Sequence, residues 1–178
     1  GSDALTQAHK AAVHGDVITL SAGAFTAPSS WTKAVTLRGA GCYEGAENTR
    51  EVTYIGNNFK LAIPVEIETT MTIEGINYKS DVSFSTKVKN TTFIKCSFLN
   101  VTSVCRNTNF YNCAITQSIG FSASSTELAT VNFFNCYVNN PHASNGYTFV
   151  EFFNCIVHFN NSWGGYRRRG PGDVEFAK

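Results

Sequence analysis

Charge is scarce in this chain. Only 15% of its 178 residues are charged and the formal net charge is +1, which leaves no broad electrostatic footprint for a nucleic acid. The one basic cluster, Arg167-Arg168-Arg169, reads as a solvated tail. No apolar run is long enough to suggest a transmembrane helix, so no membrane insertion is expected. No export signal is visible, and Gly1-Ser2 reads as a cloning scar. Metal-binding spacings are missing as well: neither Cys-x-x-Cys nor His-x-x-x-His occurs, which argues against zinc, and no cofactor is expected.

What the chain has instead is a repeat. Taking Leu20, Leu37, Tyr54, Ile73, Phe93, Phe110, Phe133 and Phe152 as anchors, the steps are 17, 17, 19, 20, 17, 23 and 19 residues, which no heptad or helical repeat produces. Two residues before each anchor stand Ile18, Val35, Val52, Met71, Thr91, Thr108, Val131 and Val150. Thr19, Thr36, Thr53, Thr72, Thr92, Asn109, Asn132 and Glu151 lie between the two columns. This alternation is strand periodicity. Two residues after the anchors come Ala22, Gly39, Gly56, Gly75, Lys95, Asn112, Asn135 and Asn154, mostly residues that accept positive φ cheaply. Inward positions then resume, so each repeat reads as strand, one-residue corner, strand. Such a unit cannot bury its face alone, and the stack of units is the core. The architecture expected from the repeat is all-β: a parallel β-solenoid of about eight coils within residues 3–163. Residues 164–178 read as a C-terminal tail, and the ending Glu175-Phe176-Ala177-Lys178 as a truncation.

The run from Ala4 through His14-Gly15-Asp16-Val17-Ile18-Thr19-Leu20, then Ala22-Gly23-Ala24-Phe25 and Val35-Thr36-Leu37-Arg38-Gly39-Ala40-Gly41, resembles the pectate-lyase-like superfamily of right-handed parallel β-helices. The resemblance extends over nearly the whole chain, from Ala4 to about Trp163. It implies a single-stranded right-handed parallel β-helix with an amphipathic N-terminal capping helix within 3–14 that covers the open end of the stack; Asp3 suits its N-cap and Gly15 its stop.

Six cysteines are present, and Cys96, Cys113, Cys136 and Cys155 fall in one interior column. Neighbouring strands lie about 4.8 Å apart, long for a disulfide, so a ladder of reduced thiols is expected. Cys42 reads as interior. Cys105, beside Arg106, lies off the columns and is the thiol to test for reactivity.

The lyases of the resembled superfamily hold calcium on a carboxylate cluster, and calcium takes about six to eight oxygen ligands. Here Asp16, Glu74, Asp81, Glu127, Glu151 and Asp173 are scattered. The paired carboxylates of the hydrolases of that fold are not evident either. The weak catalytic candidates are Glu66 and Glu68, at strand spacing, faced by Lys87 and Lys89. The histidines read as structural or exposed. The outward column just after the anchors is more suggestive. It runs Ser21, Arg38, Ile55 and Glu74, then Ile94, Tyr111, Phe134 and Phe153, and Tyr137 and Ile156 on the neighbouring strand widen it. Such a strip predicts several hundred Å² of apolar surface needing a partner, a covering loop or a ligand. The function expected is a non-catalytic structural or glycan-binding module of an extracellular, cell-surface or virion protein such as a spike, fibre or adhesin. Its expected partners are copies of itself in a homotrimer, or a polysaccharide. The alternative is a polysaccharide lyase or glycoside hydrolase acting on an acidic polysaccharide.

Overall fold

Alternating apolar and polar residues make strands with one buried face, and repeated short segments bury that face by stacking on their neighbours. The computed structural model describes residues 3–43, 51–85, 88–104, 106–122, 129–143 and 148–159. Helix α1 (Ala4–Ala11) comes first. The first turn then holds β1 (Val17–Thr19) and β2 (Gly23–Phe25), and the second β3 (Thr36–Arg38), β4 (Thr53–Ile55) and β5 (Phe59–Leu61). Next follow β6 (Met71–Glu74), β7 (Ile76–Tyr78) and β8 (Val82–Phe84), then β9 (Lys89–Ile94) with β10 (Ser97–Val104), and β11 (Arg106–Tyr111) with β12 (Ala114–Phe121). The last turns hold β13 (Ala129–Phe134), β14 (Tyr137–Asn139) and β15 (Pro141–Ala143), then β16 (Thr148–Phe153) and β17 (Ile156–His158).

All pairings between these strands are parallel. One sheet runs β1-β3-β6-β9-β11-β13-β16 and a second β2-β4-β7-β10-β12-β14-β17. A third row joins β5 to β8, β8 to the far half of β10, and the far half of β12 to β15. The chain is thus a parallel β-solenoid of about six turns, the seven strands of the first sheet being joined by six circuits of the chain.

That is fewer than the eight coils expected, and the register shows why. Leu37 pairs directly with Ile73. Tyr54 is no anchor; it lies in the second sheet between Ala24 and Asn77, with its neighbours Thr53 and Ile55 buried instead. Ile55 is therefore inside the core, not on the outer column. Likewise Ile18, not Leu20, pairs with Leu37. Period-two alternation does not say which residue of a pair faces inward, and a slip of one exchanges the faces. From Ile73 onward the anchors hold: Ile73, Phe93, Phe110, Phe133 and Phe152 are consecutive partners.

Inside, Phe93 stacks on Phe110 at 5.0 Å, Phe110 on Phe133 at 4.7 Å and Phe133 on Phe152 at 4.9 Å. A second row runs from the cap inward as His9, Trp31, Phe59, Tyr78 and Phe98, with centroids 4.6 to 5.4 Å apart. The corners after the first sheet take positive φ at Gly75, Lys95, Asn112, Asn135 and Asn154. The expected corners at Ala22, Gly39 and Gly56 do not. Gly39 is needed for another reason: a Cβ there meets the Gly75 carbonyl oxygen at 2.4 Å and Ile76 Cγ1 at 2.9 Å. Helix α1 buries Leu5 and His9, and its N-cap residue Asp3 makes no side-chain capping bond. The helix ends at Ala11 with Ala12 as C-cap, ahead of Gly15.

Candidate functional site: the outer face of the first sheet

Along the first sheet the residues that follow the inward anchors point outward and stand in register as Thr19, Arg38, Glu74, Ile94, Tyr111, Phe134 and Phe153. The column changes character midway. Arg38 Nε donates to Glu74 Oε2 at 3.1 Å, an exposed ion pair of small energetic weight. Beyond it, Tyr111 stacks on Phe134 and Phe134 on Phe153, each at 4.8 Å and 6°. Planes so nearly parallel occupy one another's faces, and solvent meets mainly the ring edges. This is why Tyr111 and Phe134 are half-buried although they lie outside the solenoid, while Phe153 at the end of the row is 41% exposed. Less apolar area is open than the sequence predicts, because the rings cover each other.

The neighbouring outward column is polar: Thr36, Thr72, Thr92, Asn109, Asn132 and Glu151, with Asn132 Nδ2 donating to Asn109 Oδ1 at 3.0 Å. Tyr137 and Ile156 are outward and exposed, as expected, but they pair with each other on the second sheet. Between them and the aromatic row runs the asparagine corner, where Asn154 Nδ2 donates to Asn135 Oδ1 at 2.6 Å. The apolar surface is therefore two strips parted by a polar edge.

Of the catalytic candidates, Glu66 and Glu68 do not lie on a strand; both are exposed, in the connection that follows β5. The structure brings Lys89 to Glu68, whose carboxylate it engages directly, and that hydrogen bond holds the carboxyl below its ordinary value. Glu66 joins no such pair among the described residues, and Lys87 lies outside them, as do Cys105, Glu127, Asp173 and Arg167-Arg168-Arg169. No cluster of three or more metal-ligating side chains occurs among the described residues. No helix among them is long and apolar enough to cross a membrane.

The thiol column is present. Cys42, Cys96, Cys113, Cys136 and Cys155 are free, all but Cys155 fully buried. Each member of the ladder donates to the carbonyl two residues before it: Cys96 to Ile94, Cys113 to Tyr111, Cys136 to Phe134 and Cys155 to Phe153, at 3.3 to 3.4 Å. The backbone N–H groups of Cys113 and Cys136 donate in turn to the sulfurs of Cys136 and Cys155. Burial pushes the Cys42 thiol up to about 12 and that of Cys113 well above the ordinary range.

Sequence reasoning missed a polar ladder where the second sheet turns into the third row. Asn100 Nδ2 donates to Asp81 Oδ1 and Gln117 Oε1, both at 3.0 Å, and Asn100 Oδ1 accepts from Ser118 Oγ at 2.8 Å. These side chains come from three successive turns, and no local motif announces them. Comparison with protein-family models, curated proteins and solved structures gives no match.

Proposed function

We propose that this domain is a non-catalytic structural module that buries the outer face of its first sheet on a partner surface, within an extracellular, cell-surface or virion assembly of the spike, fibre or adhesin type. The observation that carries this reading is the row Ile94, Tyr111, Phe134 and Phe153, whose rings are ordered by mutual stacking yet stand outside the core. Ring edges flanked by an asparagine row suit packing against protein, and three copies around an axis offer such a surface to one another. A saccharide ring stacks on an aromatic face. Only the outer face of Phe153 has no ladder neighbour among the described residues, so glycan binding is the second reading, confined to that end. The resemblance to pectate-lyase-like β-helices is consistent with both. The lyase or hydrolase reading draws little support from Glu66 and Glu68, one exposed in a turn and the other engaged by Lys89.

Light scattering of the intact protein at several concentrations tests the first reading, with Phe134→Ser as the variant. A stable oligomer that dissociates in the variant supports it; a monomer at every concentration removes self-association. A polysaccharide panel with Phe153→Ser tests the second. Loss of a bound saccharide in that variant supports a terminal stacking site, and binding unaffected by the change sinks it. Any polysaccharide-cleaving activity that survives Glu66→Gln with Glu68→Gln removes those residues from contention.

A further inference from the structure

We propose that His9 makes the N-terminal cap an acid-releasable plug: with His14, its imidazole accepts a backbone N–H from the open edge of the first turn, and protonation of His9 uncovers that edge. The geometry is specific. Trp31 N–H donates to the Lys60 carbonyl and Ala62 N–H to the Trp31 carbonyl, so Trp31 faces the second turn. In an extended segment alternate residues point their N–H groups to opposite sides. Thr32 and Ala34 consequently direct theirs away from the stack, where no further strand exists among the described residues. His9 Nε2 accepts from Thr32 N–H at 3.0 Å and His14 Nδ1 from Ala34 N–H at 3.0 Å. The Ala34 carbonyl on the same edge accepts from Gly15 N–H at 2.8 Å. Two side chains and one linker amide thus close an edge that otherwise invites strand pairing.

An imidazolium has no acceptor nitrogen. The two contacts therefore require opposite tautomers, Nδ1–H for His9 and Nε2–H for His14. His9 is also 8% exposed and sits 4.6 Å from the Trp31 ring at the head of the interior aromatic row. A charge placed there is desolvated, and Lys33, the next residue after Thr32, opposes it; burial first and Lys33 second lower the His9 pKa below 6.5. Lys10 on α1 and Lys60 on the second turn are exposed. Asp16, on the linker beside His14, accepts Val13 N–H at 2.8 Å.

The sign follows from linkage. A histidine whose folded value is depressed binds its proton more readily when released, so the cap is fully stabilised above about pH 6.5 and loses ground as pH falls from there through the folded value.

The test is amide hydrogen exchange of the intact protein at pH 7.5 and pH 5, reported as protection factors for Thr32 and Ala34. The expected result is a loss of protection at pH 5 for Thr32, the amide that His9 accepts, with Phe110 and Phe133 unchanged. The double variant His9→Gln with His14→Asn places non-titrating acceptors near the same positions and is expected to keep protection at both pH values. Equal protection of the wild type at both pH values overturns the proposal, as does an equal loss in the double variant. Should that variant fail to fold, nitrogen-15 NMR of the wild-type imidazoles decides. The proposal requires the two opposite neutral tautomers at pH 7.5, and protonation of His9 in step with the loss of Thr32 protection. A shared tautomer, or transitions a full pH unit apart, overturns it.

Discussion

Tyr111 and Phe134 stack at 4.8 Å and 6° on the outside of the same two rungs whose inside carries Phe110 on Phe133 at 4.7 Å and 8°. One strand pair therefore sustains two aromatic ladders back to back, one sealed in the core and one facing out. Parallel in-register pairing imposes this, because residues one apart point to opposite faces and identical positions fall one above the other.

The two ladders differ in energetic weight. Phe133→Ala empties a fully buried site and is expected to cost about 3–5 kcal/mol. Phe134→Ser removes two outer stacking contacts, at about 0.5–1.5 kcal/mol each beyond area burial. Urea denaturation of both variants checks the order. A Phe134 variant as damaged as the Phe133 variant would place the outer ring in the fold and not in an interface.

Gly39→Ala drives a Cβ into the Gly75 carbonyl of the next turn, and the loss is expected to reach about 3 kcal/mol. Gly56→Ala is the control, since nothing among the described residues lies within 4 Å of its added carbon. It is expected to be neutral, or to stabilise by up to about 1 kcal/mol through the unfolded chain. Thermal melts of the pair separate steric need from flexibility.

The Tyr78 hydroxyl is buried with no hydrogen-bond partner among the described residues, and its ring lies 5.1 Å from Phe98 in a stacked pair. Removing an unpaired buried hydroxyl while keeping the ring relieves a desolvation cost of about 1–3 kcal/mol. Tyr78→Phe is therefore expected to raise the urea midpoint. A lower midpoint would reveal a polar partner for that oxygen.

With Cys105 replaced by Ser, the native protein at pH 8 is expected to react with a water-soluble disulfide reagent at least about a hundredfold more slowly than the same protein in urea. Cys42 and Cys113 are held neutral by burial, Cys96 and Cys136 lie in the core, and Cys155 is half-covered. Rapid native labelling of any member would show that the last turns open to solvent.

Much of this was legible in the chain. Period-two alternation around Ile73, Phe93, Phe110, Phe133 and Phe152, followed by corner residues at a fixed offset, specifies a stacked parallel coil because inward position, corner tolerance and outward position are all local properties. The thiol column and the outward row Ile94, Tyr111, Phe134 and Phe153 follow from the same offsets. Tertiary structure alone decided the rest. Leu37 meets Ile73 and not Tyr54, since pairing between turns is chosen by what the whole stack buries, and alternation is satisfied equally by either face. The outer rings close one another's faces, Glu68 rather than Glu66 receives Lys89, and His9 and His14 become acceptors for Thr32 and Ala34. Each of these joins residues about twenty or more positions apart, a distance over which composition and periodicity carry no information about which two groups will meet.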